Sequence, residues 1–236
     1  MTRTRTRNEL GADGENGTGD RRSRAARYFM PIAGVMAAVL TGAGLSGLGD
    51  APAPHDTAAS MAAHFQEVDD AILASAPFGT LGAVAFAAFL LTLARRLHRD
   101  HEPVSAALVA IGGFLAAGYF LFIHVVYTSL ADSVAATSPE VTKGMFNTTI
   151  LAVPVLALGV TMALGGAAYG ARRIGLLPRW WSVFSAVGAA VAAVGIFSYA
   201  DSNYFSPDVQ QQFAGQALLL WGVVTGVALA LRERRS

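Results

Sequence analysis

Apolar residues run through this chain in six long blocks, at about 28–48, 72–94, 104–130, 147–170, 180–200 and 213–231, each separated from the next by a short polar stretch. A helix needs about 20 apolar residues to cross the hydrocarbon of a bilayer, and every block meets that length. The pattern therefore predicts an all-α membrane protein with six transmembrane helices. Composition agrees: 53% of the residues are hydrophobic and 14% charged, far from the balance of an ordinary soluble domain. The first block exceeds the roughly 7–15 residue core of a secretory signal, so a retained first helix is expected. Residues 1–26 are polar and free of aromatics and read as a disordered cytoplasmic tail ahead of a transmembrane domain at 27–236.

Charge then orients the helices. With both termini placed inside, the inner segments hold the arginines of the N-terminal tail, Arg95, Arg96, Arg99, Arg172, Arg173, Arg179, Arg232, Arg234 and Arg235. Only Lys143, of 17 basic residues, falls outside. Cytoplasmic loops carry the excess of Lys and Arg, so an N-in, C-in topology is expected. The near-neutral total of +1 hides this separation and gives no reason to expect a nucleic-acid partner. Arginine in place of lysine and a high alanine content point to a bacterial plasma membrane, and the bilayer is then the first partner. The chain has no cysteine, which removes disulfides, thiolate metal sites and cysteine nucleophiles.

An internal repeat organises the outer side. "SLADS" at 129–133 matches "SYADS" at 198–202, and "SGLGD" at 46–50 is similar; "SPEV" at 138–141 matches "SPDV" at 206–209. In the second motif Ser138 and Ser206 are suited to cap free backbone N–H groups, with Pro139 and Pro207 at the first helical position. Three tandem helical hairpins follow, each odd helix closing on the first motif. Asp50, Asp132 and Asp201 take one repeated position, which makes Asp201 either a boundary residue or an acid with a partner.

Several residues have side chains suited to chemistry. In "TAASMAAHFQEVDDAI", 57–72, a helix would place Met61, Phe65, Val68 and Ile72 on one stripe and His64 beside Glu67, with Asp70 facing away. Such a helix lies on the membrane or covers a cavity, and the His/Glu pair is spaced to share a proton. The plainer reading is a solvated polar face. His124 is the one histidine inside a spanning block, where ionisable residues usually face the bundle interior. Tyr119, Phe122, Tyr127, Phe197 and Tyr199 are candidate ligand-contacting aromatics. The Trp180–Trp181 pair reads as an interface anchor, and the Gly222/Gly226 pair as a helix-packing face. Pro77 and Pro154 are expected to kink their helices. No nucleotide, zinc-protease or nucleophile-elbow motif is present, and no metal or other cofactor is expected.

The inner turn "GLLPRW" at 175–180, leading into a fifth apolar helix, resembles that of an uncharacterised group of six-helix membrane proteins common in actinobacteria. That resemblance implies fold and location and carries no activity. The chain is also similar in size to small integral-membrane terpene cyclases, which use membrane-edge carboxylates to protonate an alkene or epoxide but commonly have seven helices. By location, Glu67 and Asp201 would be the matching acids. The leading expectation is a non-enzymatic accessory, binding or sensing protein for a small apolar or amphipathic ligand. The alternative is an isoprenoid cyclase with Glu67, Asp70 or Asp201 as general acid and His64 or His124 as proton partner. A small transporter is the third reading.

Overall fold

The computed structural model describes residues 16–49, 52–197 and 207–233. Among them, every regular element is helical: α1 (Asn16–Leu45), α2 (Ala58–Glu67), α3 (Asp69–Arg99), α4 (Pro103–Ser129), α5 (Ala135–Thr137), α6 (Pro139–Leu151), α7 (Val153–Arg173), α8 (Arg179–Val194) and α9 (Pro207–Glu233). Five stretches are long and apolar enough to cross a membrane: Asp69–Arg99, Pro103–Asp132, Pro139–Arg173, Arg179–Phe197 and Phe213–Arg232. The first apolar block forms a shorter helical stretch, Phe29–Leu45, so five long spans stand where six were expected. Helix α1 itself begins at Asn16, inside the segment read as tail.

Helices α1, α3, α4, α7 and α9 close into a ring. Each packs on the next, α9 meets α1, and α8 lies outside against α7 and α9. Lipid tails are as apolar as leucine, so close approach rather than hydrophobic burial must hold such helices together. The Gly222/Gly226 face supplies it at the α1–α9 seam. A Cβ on Gly226 would come within 2.8 Å of Pro31 O, and one on Gly34 within 3.0 Å of Gly222 O. Large apolar side chains such as Ile32, Leu81, Phe114, Val125 and Leu220 point outward instead, as a bilayer requires.

One end of the bundle carries the basic turns, and both turns close by backbone geometry. Gly175, at φ +61°, lets Leu176 N–H reach back to Ala171 O at 2.9 Å. His101, at φ +65°, lets Glu102 N–H reach Leu97 O at 2.9 Å. Both are the glycine-type helix stop, in which a left-handed residue turns the next N–H onto an orphan carbonyl. Arg173 Nε then pairs with Glu102 at 3.1 Å, and Arg232 donates to Gly175 O at 2.7 Å. These contacts tie three helix ends together.

The opposite end carries α2. Thr57 caps it by accepting from Ser60 N–H at 3.1 Å, and Ser138 caps α6 by accepting from Val141 N–H at 3.4 Å, with Pro139 in the first turn as read from sequence. Met61 and Phe65 are fully buried and Ile72 nearly so, in line with the expected stripe. That stripe crosses two helices, however, because the chain breaks at Val68. The "SLADS" motif also departs from expectation. It ends no helix; Leu130–Val134 form a π turn that runs on into α5. Nothing in Leu130–Val134 is Gly or Pro, so the helix widens there and stops only at Ser138–Pro139. Pro154 does interrupt its span, between α6 and α7 at Ala152, whereas α3 stays continuous through Pro77.

Candidate ligand cavity at the α2 end

Where α4, α6, α7 and α9 meet the end of α1, the bundle leaves a cavity of about 280 Å³, close to the lower end of the about 300–1,000 Å³ typical of small-molecule sites. Its walls are Leu45, Phe120, Ile123, Phe146, Ile150, Leu156 and Leu219. Gly49, Pro52 and Ala53 also line it, and its polar groups are Tyr119, Tyr127, Gln211 and Gln216. Among the described residues that line it, none is charged.

Tyr119 and Tyr127 both approach Thr149. Tyr119 Oη donates to Thr149 O at 3.3 Å. Thr149 Oγ1 donates to Phe146 O at 2.7 Å, and the side chains of Thr149 and Gln211 lie close to the Tyr127 hydroxyl. Polar side chains of α4, α6 and α9 thereby converge here with donor and acceptor capacity to spare. A primary amide has two donors and two acceptor lone pairs, so Gln211 can serve Tyr127 and a ligand together.

Helix α2 backs this wall without entering the cavity. Phe65 packs on Tyr127 and Phe146 at centroid distances of 5.9 and 6.0 Å, and those two rings stack on each other at 6.3 Å. Aromatic pairs in this range contribute beyond the area they bury. Two further contacts hold α2 and its approach down. Gln66 Nε2 donates to Ala135 O, and Lys143 Nζ to Asp56 O, each at 2.8 Å.

The residues singled out from sequence separate into three groups. Tyr119 and Tyr127 line the cavity. Phe122 and Phe197 face outward, Phe197 at 73% exposure, and do not line it. The reason for Phe122 is helical phase: residues 119, 120, 123 and 127 share one face of α4, and 122 falls about 100° from its neighbour at 123. Glu67 and Asp70 are exposed and are not among the cavity residues either, and no hydrogen bond or ion pair among the described residues joins His64 to Glu67. Tyr199 and Asp201 lie outside the described residues.

No protein-family model, curated protein or solved structure matches this chain.

His124 is buried but stands apart from the cavity. Its Nδ1 lies 2.6 Å from Phe120 O; a carbonyl only accepts, so Nδ1 carries the proton of this bond, and Nε2 is the ring's other nitrogen. That Nε2 has no partner and rests over Gly79 and Gly44, where added Cβ atoms would lie only 1.7 and 2.8 Å from it. Two glycines thus make the slot that the ring occupies between α1, α3 and α4. Among the described residues no group of three or more His, Asp or Glu side chains is placed to hold a metal ion.

Gln211 and Gln216 escaped the sequence reading. The available signal was a polar run, Gln210 to Gln212, at the head of an apolar block, with Gln216 four residues further inside it. Polar side chains there usually face the bundle interior.

Proposed function

We propose that this protein is a multi-pass membrane protein that binds a small, uncharged amphipathic molecule in the cavity at the α2 end, in an accessory or sensing role. Phe29–Leu45 serves as a sixth span, at the short end of the about 17–25 residue range. The spans pair as three hairpins, with both termini and the basic turns on the cytoplasmic face of a bacterial plasma membrane. The cavity then opens toward the outer leaflet.

One observation carries the reading: a mostly apolar chamber with convergent neutral hydrogen-bonding groups and no charged lining residue among those described. Burying a charge without a partner costs far more than burying a hydroxyl or carbonyl that finds one. The fit is therefore to a lipid-like alcohol, ketone or quinone-type molecule rather than to a phosphate ester or an ion. An acid-catalysed cyclase needs its proton donor at the substrate. Exposed Glu67 and Asp70 lie off this cavity, so neither supplies that proton to a molecule held there.

The test is mass spectrometry of organic extracts from purified protein. Gly215 lines the cavity, and a Cβ there meets nothing within 4 Å, so Gly215→Leu fills the chamber without disturbing the fold. A neutral species that co-purifies with the wild type and is absent from Gly215→Leu is the expected result. Extracts that match between the two proteins would refute the site. A supplied isoprenoid recovered as a cyclised product would replace binding with catalysis.

A further inference from the structure

A second site lies at the other end of the bundle, between α7 and α8. An open groove of about 560 Å³ is lined on α7 by Gly165, Ala168, Tyr169 and Arg172 and on α8 by residues that include Ser182, Val183 and Ala186. Residues 165, 168, 169 and 172 recur at helical spacing, so the α7 side is one continuous strip about 10 Å long. Its floor is made of small side chains, and the two walls belong to the spans Pro139–Arg173 and Arg179–Phe197. What covers it is therefore bilayer lipid.

Two polar features at the basic end of the groove make it more than a generic lipid-facing surface. Ser182 is 5% exposed, and its Oγ has no hydrogen-bond partner, although a buried hydroxyl left unpaired costs about 1–3 kcal/mol. Arg172 is exposed and pairs with no acid among the described residues. Its neighbour Arg173, by contrast, is engaged by Glu102 and by the Tyr169 hydroxyl at 3.1 Å. A donor and a free guanidinium thus border one groove at the level where a headgroup would sit.

We propose that this groove is a binding site for an anionic phospholipid. One acyl chain lies along Gly165, Ala168 and Ala186, the phosphate is held by Arg172, and Ser182 donates to a phosphate or glycerol-ester oxygen. Guanidinium matches phosphate in a bidentate, charge-assisted geometry. The site is independent of the cavity at the α2 end.

The experiment uses the full-length protein in phosphatidylcholine vesicles, with or without a minor fraction of phosphatidylglycerol, and reads thermal unfolding together with retained lipid by native mass spectrometry. Phosphatidylglycerol is expected to raise Tm by about 3–6 °C, as tenfold saturation of one site would, and to stay bound on release from the vesicle. Arg172→Gln should abolish the shift. So should Gly165→Leu, which has room because the nearest foreign atom to a Cβ there is Ala189 Cβ at 3.9 Å. Ala186→Leu fills the groove from the facing helix and should do the same. Arg95→Gln, which removes an equal charge elsewhere, should leave the shift intact. A shift that survives the two groove-filling variants, or is lost equally in Arg95→Gln, would mean a diffuse surface-charge effect and overturn the site, as would the absence of any shift in the wild type.

Discussion

Helix α9 runs through two differently built halves of one bundle. Toward the α2 end it contributes Gln211, Gly215, Gln216 and Leu219 to an open chamber. Toward the basic end it contributes Trp221 and Thr225, both fully buried, to a closed cluster. There Trp181 Nε1 donates to Thr225 Oγ1 at 2.9 Å, Trp221 Nε1 to Ser185 Oγ at 2.8 Å, and Ser185 Oγ to Trp181 O at 2.9 Å. The indoles meet at 5.9 Å, and Trp221 meets Phe89 at 5.7 Å. In the closed half each indole N–H has its partner within the protein, so the tryptophan cluster keeps no free indole donor. In the open half the hydroxyl and amide groups exceed their internal partners. The same helix completes a closed cluster at one end and lines a chamber at the other.

Breaking the closed half should have the largest effect on stability. Trp221→Ala removes a buried indole and the N–H that Ser185 accepts, and should cost about 3–5 kcal/mol, seen as a large drop in unfolding temperature in detergent. Gly79→Ala tests the glycine slot under His124. Its new Cβ would lie 1.7 Å from Nε2, and overpacking of this kind costs about 1–3 kcal/mol. The loss should be largely recovered in the Gly79→Ala/His124→Ala double variant, and failure to recover would place the strain elsewhere. Ser185→Ala breaks two hydrogen bonds of the tryptophan cluster and leaves one indole N–H unpaired, for about 1–2 kcal/mol. Tyr127→Phe, in the open half, should change stability by less than about 1 kcal/mol while weakening ligand retention. If Tyr127→Phe proved as destabilising as Ser185→Ala, the contrast between the halves would fail.

The two halves also differ in how far the sequence revealed them. Length and hydropathy placed the five long apolar helices, and residue chemistry placed the cap at Ser138, because both signals are local. Which face of a helix turns inward is not local information. Helix α4 is apolar nearly all round, so neither hydrophobicity nor aromatic character separates Tyr119 and Tyr127, which line the cavity, from Phe122, which does not. The tryptophan pair misled for a related reason. Position near a helix end predicts an interface anchor, and Trp180, 57% exposed, fits that role. Trp181 is rotated by one residue into the core, where Thr225 waits on a helix 44 positions away. The repeat likewise marked "SLADS" as an ending when the chain makes a π turn, since similarity of letters does not encode the bond pattern.

The central claim is that the open half selects an uncharged ligand, and the most direct measurement is a paired displacement titration. A solvatochromic apolar dye bound to the reconstituted protein would be competed with a short prenyl alcohol and, separately, with its monophosphate. The account predicts that the alcohol displaces the dye at a concentration at least about tenfold lower than the phosphate, in keeping with the cost of burying an unpaired charge. It also predicts that Gly215→Leu abolishes displacement by either. Equal or tighter competition by the phosphate would contradict it and place a cation at the cavity.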